Sequence, residues 1–189
     1  LLDPYFGTYP FVTSSSPLSG GGCLGAGIAP RHITTVLSVF KAYCTRVGGG
    51  PMPTELKDKT GELIRKHGNE FGTTTGRPRR CGWFDAVAAR FSTRINGYTH
   101  SAITRLDVLD ELPQVKICVA YHLNGKKIDS FPANAALLER CQPVYEEFPG
   151  WQTSTNGVRK YEDLPHQAKK YLSRLEELTA CPIAIISVG

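Results

Sequence analysis

Pro182-Ile183-Ala184-Ile185-Ile186-Ser187-Val188 is a nearly continuous apolar run, the pattern of a strand buried on both faces of a parallel sheet. The residues before it form the clearest helix of the chain. Leu164, Ala168, Leu172, Leu175 and Leu178 line one face at helical spacing; Asp163 is placed to cap it and Pro165 falls in its first turn. A helix feeding a buried strand is the unit of an α/β fold, in which ligands gather outside the carboxyl ends of the strands. The Ser187–Gly189 corner lies at such an end.

Upstream, the spacing predicts further elements. Val115, Ile117, Val119 and Tyr121 alternate as in a strand, and Asn124-Gly125 offers a hairpin turn into a returning strand at Ile128. Ser101 to Leu106 reads as a short strand ending at Asp107, Asn134 to Arg140 as a short helix, and Pro143 to Trp151 as an extended segment. One helix is expected from Thr60, as N-cap, to Gly68. Another starts near Trp83, buries Phe84, Val87, Ala88, Phe91 and Ile95, and stops at Asn96-Gly97. A helix is also predicted from Pro30 to about Tyr43, because Pro30 suits a first turn and Ile33, Leu37 and Phe40 recur at helical spacing. Residues 1–29 are rich in Gly, Ser, Thr and Pro and read as loop, with Tyr9, Phe11 and Val12 resembling a short strand. The sum is one α/β domain over residues 1–189: a mostly parallel sheet with flanking helices and a β-hairpin excursion.

The 189 residues suffice for one well-buried core, and 41% hydrophobic with 21% charged residues is ordinary for a globular protein. No apolar run is long enough to span a membrane. The net charge is +5, with basic residues interspersed among acids, which suits small anionic ligands better than a nucleic-acid track. Cys23, Cys44, Cys81, Cys118, Cys141 and Cys181 form no C-x-x-C pair and no His stands at finger spacing, so a reducing compartment and no zinc site are expected. The start, Leu1-Leu2-Asp3-Pro4, shows neither an initiator Met nor a signal pattern and reads as a fragment of something larger.

The chemistry concentrates in Phe71-Gly72-Thr73-Thr74-Thr75-Gly76-Arg77-Pro78-Arg79-Arg80-Cys81-Gly82-Trp83-Phe84-Asp85. Three threonine hydroxyls and three guanidinium groups share one short loop. Arg forks match carboxylate or phosphate oxygens two at a time, and glycines let backbone N–H groups come close to a ligand. Arg77 and Arg79 serve two different anionic groups in this reading; the plainer reading is surface salt bridging. Asp107 offers a carboxylate that accepts two parallel N–H bonds from guanine, its N1–H and 2-amino group, with Arg105 laid over the purine face. Asp107 equally suits a strand-end turn, with Asp110 capping the next one. Thr13 suits a phosphate oxygen or its own backbone, and the Val47-Gly48-Gly49-Gly50 turn suits a sugar or a plain connection. No G-x-x-x-x-G-K-[ST], H-E-x-x-H or G-x-S-x-G motif occurs. His32, His67, His100, His122 and His166 are scattered. The chain is expected to bind and orient, with no catalytic residue and no metal ligand of its own.

Eight blocks in order carry a family resemblance: residues Phe6–Ser15, Lys41–Gly48, Gly50–Leu56, the Phe71–Asp85 loop, Leu106–Asp110, Val115–Tyr121, Pro149-Gly150-Trp151 and Ile185–Gly189. They resemble adenylosuccinate synthetase end to end. The resemblance implies a P-loop NTPase-like fold, of which this chain is the carboxyl-terminal part, carrying the aspartate loop and the guanine-binding region. It implies GTP-dependent joining of IMP and L-aspartate into adenylosuccinate, with Mg²⁺, in AMP biosynthesis. GTP phosphorylates the 6-oxygen of IMP, and the aspartate amine then displaces that phosphate. Carried over by the match, Thr73, Thr74, Thr75, Gly76, Arg77, Pro78 and Arg79 hold L-aspartate, and Thr13, Val47 and Arg77 contact IMP. Arg79, Arg105, Leu106, Asp107, Ser187, Val188 and Gly189 hold GTP. The family usually has Lys where Arg105 stands and often Thr where Val188 stands. Its phosphate loop, catalytic Asp and His, and Mg²⁺ ligands belong to an amino-terminal portion outside this sequence, so the isolated fragment is expected to be inactive. A homodimer in the cytoplasm is implied, or in an organelle if the parent carries a transit peptide, with no nucleic acid and no membrane as partner. The other reading is a non-catalytic nucleotide- or RNA-binding module.

Overall fold

The computed structural model describes every residue except Thr75 and Ala133. In order, the elements are α1 (Ser19–Ala26), β1 (Leu37–Lys41), β2 (Cys44–Arg46), α2 (Lys59–His67), β3 (Arg80–Gly82), β4 (Phe84–Asp85), α3 (Ala86–Asn96) and β5 (His100–Thr104). They continue with β6 (Gln114–Leu123), β7 (Lys126–Ile128), α4 (Ala135–Glu139), β8 (Gln142–Pro149), α5 (His166–Thr179) and β9 (Ile183–Ile186). A parallel sheet runs β1-β5-β9. In a second sheet β6 pairs parallel with β4 and antiparallel with β7 and β8, and β2 and β3 form a short antiparallel ribbon. The α/β class and the hairpin excursion hold, and β8 widens the antiparallel part along most of β6.

The hairpin forms because Asn124 and Gly125 both take positive φ, 52° and 77°, the backbone that a two-residue turn between twisted strands requires. α3 and α5 turn their apolar faces onto the sheets. Ala168, Leu172 and Leu175 of α5 are buried with Ile103, Leu106 and Val115 in one core cluster. Three tyrosines are fully buried in the core, and each hydroxyl keeps a partner, as burial demands. Tyr171 donates to the Ala42 carbonyl at 2.7 Å, Tyr121 to Asp85 at 2.6 Å and Tyr43 to Glu70 at 2.6 Å.

Several elements depart from expectation. Only a 3₁₀ turn at Pro30–His32 is helical in the stretch from Pro30 to Tyr43, and residues Leu37–Lys41 form β1. The helical spacing there is coincidental: Ile33 and Leu37 are exposed while Ser38, paired with Ser101 of β5, is buried. Pairing with β5 decides the conformation over local spacing. Conversely, Ser19–Ala26 is a helix despite three consecutive glycines. A distant residue holds its start: Asn96 accepts the Ser19 N–H at 2.9 Å, and the Ser19 hydroxyl donates to the Asn96 carbonyl at 2.8 Å. Tyr9 lies in a turn, Phe11 in a bend and Val12 in irregular backbone, not a strand.

Cap positions shift too. Asp58, not Thr60, caps α2 by accepting the Gly61 N–H at 3.1 Å. Asp163 lies in a 3₁₀ turn and caps nothing; the N-cap position of α5 is Pro165. β9 is an edge strand with Ile183 and Ile186 packed on the core and Ile185 exposed, so its apolar run is covered on one face only. Asp85 rather than Trp83 begins α3, accepting the Ala88 N–H at 3.0 Å.

Candidate functional site

The Arg- and Thr-bearing loop is closed at its neck by backbone bonds. Arg79 N–H donates to the Glu70 carbonyl at 2.9 Å, Gly72 N–H to the Arg77 carbonyl at 2.8 Å, and Gly76 N–H to the Gly72 carbonyl at 2.8 Å. Phe71 and Pro78 are bridged across the neck, and Gly76 takes φ 63°, which a glycine adopts without strain. Thr73, Thr74, Gly76, Arg77 and Pro78 are exposed on the loop; Thr75 lies outside the described residues.

The three arginines do different things. Arg80 is structural: it forks onto both Glu55 oxygens at 2.8 and 2.6 Å and caps the Gly48 and Gly50 carbonyls. Arg79 is anchored at Nη1 by the buried Glu70 carboxylate, 2.8 Å away, while its buried Nε has no hydrogen-bond partner among the described residues. Arg77 is exposed.

A second feature sits at the carboxyl ends of β5 and β9. Arg105 stands in the left-handed region at φ 62° and turns the chain into a 3₁₀ turn, Leu106–Leu109. Leu106 is fully buried, so it takes part through its backbone: its N–H donates to the Ser187 carbonyl, at 3.2 Å, which ties the two strand ends together. Asp107 follows with Oδ1 buried and unpartnered among the described residues. Gly189 takes φ 109°, a backbone that L side chains rarely adopt; a Cβ there would sit 3.3 Å from the Asn156 side chain and, in ordinary contact, 3.7 Å from the Asp107 carboxyl carbon. Val188 beside it is buried in the core. A cavity of about 560 Å³ opens here, lined by His67, Asp107, Glu111, Gln152, Ser154 and Asn156 among others. Arg105 is committed to the fold in part: its Nη2 donates to the Gly68 carbonyl.

Asp110 does not cap a turn. It accepts Trp151 Nε1 at 2.6 Å, the Thr155 N–H at 2.6 Å and the Thr155 hydroxyl, and so fixes the 151–156 segment as the far wall of the cavity. Sequence reasoning missed this role, along with Glu70 and Arg46. Arg46 bonds the Thr8 hydroxyl, the Phe11 carbonyl and the Gly49 and Pro51 carbonyls. It therefore brings the amino-terminal loop and the Val47 turn together, although Thr13 and Val47 do not meet. The Thr13 hydroxyl bonds Ser15 at 3.1 Å, and Val47 is exposed beside a separate cavity of about 280 Å³ lined also by Thr45, Met52 and Asp85.

Burial raises the Asp85 carboxyl to about 6, against the lowering effect of hydrogen bonds from Tyr121 and the α3 N–H groups. The unfolded value is about 3.9. Between these, the folded form holds a proton that the unfolded form has lost, so this contribution is full below about pH 4 and gone by about pH 6. Full-length protein is expected to lose thermal stability over that window relative to Asp85→Asn; parallel profiles would contradict it. The thiols of Cys44, Cys81, Cys118, Cys141 and Cys181 are all pushed up by burial, Cys44 to about 12, and no cysteine is in a disulfide. They are packing residues, not nucleophiles.

Fold and site together define an α/β protein with a polar cavity at its parallel strand ends and an exposed arginine-bearing loop. Residues 1–189 match the family model described as Adenylosuccinate synthetase. The chain belongs to the adenylosuccinate synthetase family. It is 61% identical over its whole length to an adenylosuccinate synthetase of Dehalococcoides mccartyi, of which it covers 45%, and 56% identical to that of Geobacter metallireducens, of which it covers 44%. A structure of fully ligated adenylosuccinate synthetase from Plasmodium falciparum superposes with a TM-score of 0.96 at 40% identity, over all of this chain and 45% of that one. The chain thus spans less than half the length of the relatives it matches.

Proposed function

We propose that the parent protein of this chain joins IMP and L-aspartate at the expense of GTP, releasing adenylosuccinate, GDP and phosphate in AMP biosynthesis. Family membership supports the activity. The observation in this chain that carries it is the buried, unpartnered Asp107 Oδ1. A buried carboxylate oxygen without a donor is costly, and the N1–H and 2-amino group of guanine supply two donors at the spacing a carboxylate accepts. Arg105, Leu106, Ser187, Val188 and Gly189 surround the base. The hydroxyls of Thr73 and Thr74 with the Arg77 fork take the carboxylates of L-aspartate, and Arg79 reaches the GTP. Thr13, Val47 and Arg77 hold IMP. The γ-phosphoryl group passes to the 6-oxygen of IMP as its bond to the β-phosphate oxygen breaks. The aspartate amine then forms the C–N bond as phosphate leaves.

This chain binds and orients; the proton transfers fall to residues outside it. Among the described residues, no group of three or more His, Cys, Asp and Glu converges to hold a metal ion. Mg²⁺ is assigned to the remainder of the parent on the strength of the family alone, and no step is routed through it. A cytoplasmic homodimer is part of the proposal on the strength of the family alone. Pairing of the basic residues weighs against a polyanion track: Lys41 and Arg79 face Glu70, Arg80 faces Glu55, Lys116 faces Glu147, and Arg174 faces Glu146. The test is GDP release by the full-length protein, expected only when IMP and aspartate are both supplied. Release indifferent to either substrate overturns the proposal.

A further inference from the structure

Glu70 is the most deeply buried acid of the described residues, 1% exposed, and it lies at the root of the arginine loop rather than on it. Its carboxylate gathers donors from three segments. Lys41, at the end of β1, reaches Oε1 at 2.6 Å; the Tyr43 hydroxyl reaches the same oxygen at 2.6 Å; Arg79, at the loop exit, reaches Oε2 at 2.8 Å. Burial pushes the Glu70 carboxyl up, and the donors from Lys41, Tyr43 and Arg79 outweigh that and hold it below its ordinary value. The carboxylate is thus charged at neutral pH. The surroundings leave little play. A Cβ at Gly68 would collide with the Tyr43 hydroxyl and with Glu70 Cγ, and the Arg79 carbonyl is held by Arg65 Nε at 2.9 Å.

The knot also extends toward the strand-end pocket. Arg105 lies close enough to Tyr43 to offset part of the rise that burial and Glu70 impose on its hydroxyl. The same guanidinium donates to Gly68, two residues before Glu70. One buried acid therefore fixes Arg79 directly and faces Arg105 across a single tyrosine. Arg79 keeps its Nε buried and unpartnered, so the anchored side chain still has a donor to offer.

We infer that Glu70 is a positioning residue that holds Arg79, and through Tyr43 Arg105, in one arrangement, so that the root of the aspartate loop and the base pocket are set together. The inference rests on the reading that Arg79 and Arg105 meet ligands. Neutralising Glu70 leaves Lys41 and Arg79 as uncompensated neighbours, and the pair would separate toward solvent. The Glu70 carboxylate accepts from Lys41, Tyr43 and Arg79 and from neither the Thr13 loop nor the Val47 turn, so IMP binding is spared.

The test uses full-length protein carrying Glu70→Gln, with steady-state KM determined for each substrate. The KM values for aspartate and GTP are each expected to rise about tenfold or more, the scale of a lost charged hydrogen bond, with KM for IMP within about twofold. In KM for aspartate, Glu70→Gln combined with Arg79→Ala is expected to be no worse than Arg79→Ala alone, as for two residues acting as a unit, while KM for GTP rises further through Arg105. A uniform rise for all three substrates, no rise, or additive effects on the aspartate KM in the double variant overturns the inference. Where Glu70→Gln does not fold, Tyr43→Phe keeps the acid and its two cationic partners; it should raise KM for GTP about threefold or more and leave aspartate unchanged. An unchanged GTP KM in that variant also overturns the inference. Failure of the functional reading is separate: it shows as an unmodified protein that does not consume GTP with IMP and aspartate.

Discussion

Arg77→Ala in the full-length protein is expected to cut kcat/KM for aspartate by two to four orders of magnitude while leaving the thermal midpoint within about two degrees. Arg77 is exposed, and substitutions at exposed sites usually move stability by less than about 0.5 kcal/mol. The bonds that close the loop's neck are backbone bonds: the Gly72 N–H on the Arg77 carbonyl, the Arg79 N–H on the Glu70 carbonyl and the bridge of Phe71 to Pro78. What is lost is ligand contact. A charged hydrogen bond contributes about 1.5–3 kcal/mol, and a forked pair to a carboxylate therefore about 3–6 kcal/mol, or about 10²- to 10⁴-fold. Arg77→Lys tests the geometry separately: an ammonium keeps the charge but cannot fork, so it should recover only a small part of the loss. A fall of less than about threefold for Arg77→Ala would place the anion contact elsewhere. A large drop in melting temperature would show that the residue serves the fold.

The parts of this architecture that were legible in the sequence are those in which one short segment decides its own conformation. Asn124-Gly125 dictates a tight hairpin turn, the alternation Val115-Ile117-Val119-Tyr121 dictates a strand, and the leucine spacing of α5 dictates a helix. The structure has all three. Where a distant partner decides, the local pattern misleads. Leu37–Lys41 is a strand because β5 lies alongside it, and the glycine-rich Ser19–Ala26 is a helix because Asn96 holds its start. The site divides the same way. Asp107 and the Thr73–Arg79 loop were visible as residue types at a strand end and in a turn. Glu70, Arg46 and Asp110 were not, since each matters through partners far along the chain: Glu70 through Lys41, 29 positions away, and Asp110 through Thr155, 45 positions away. Nothing in a one-dimensional pattern distinguishes such an anchor from a solvated charge. The arginine loop itself shows the cost, for its three guanidinium groups look equivalent in sequence, yet Arg80 is wholly occupied by Glu55 and the Gly48–Gly50 turn.

Asp107→Asn should leave the fold intact and lower the preference for GTP over ITP by about tenfold or more. The aspartate Oδ1 is buried without a partner among the described residues, so the two purine donors and the two carboxylate oxygens can pair face to face. ITP lacks the 2-amino group and leaves one oxygen unpaired, which disfavours it against GTP by about 1–3 kcal/mol. Asparagine turns one of those acceptors into an N–H donor. Against guanine, two donors then meet at the 2-amino position and GTP binding weakens. Against hypoxanthine, the same N–H meets no opposing donor and little changes. The ratio falls mainly through loss of GTP, not gain of ITP. Xanthosine triphosphate gives the opposite sign, because its 2-oxygen accepts where guanine donates: the variant should use it better than the unmodified protein does. Competition among the three triphosphates at fixed IMP and aspartate measures all of this. A variant that keeps its GTP-to-ITP ratio and gains nothing with the xanthine nucleotide would show that the base does not rest on Asp107.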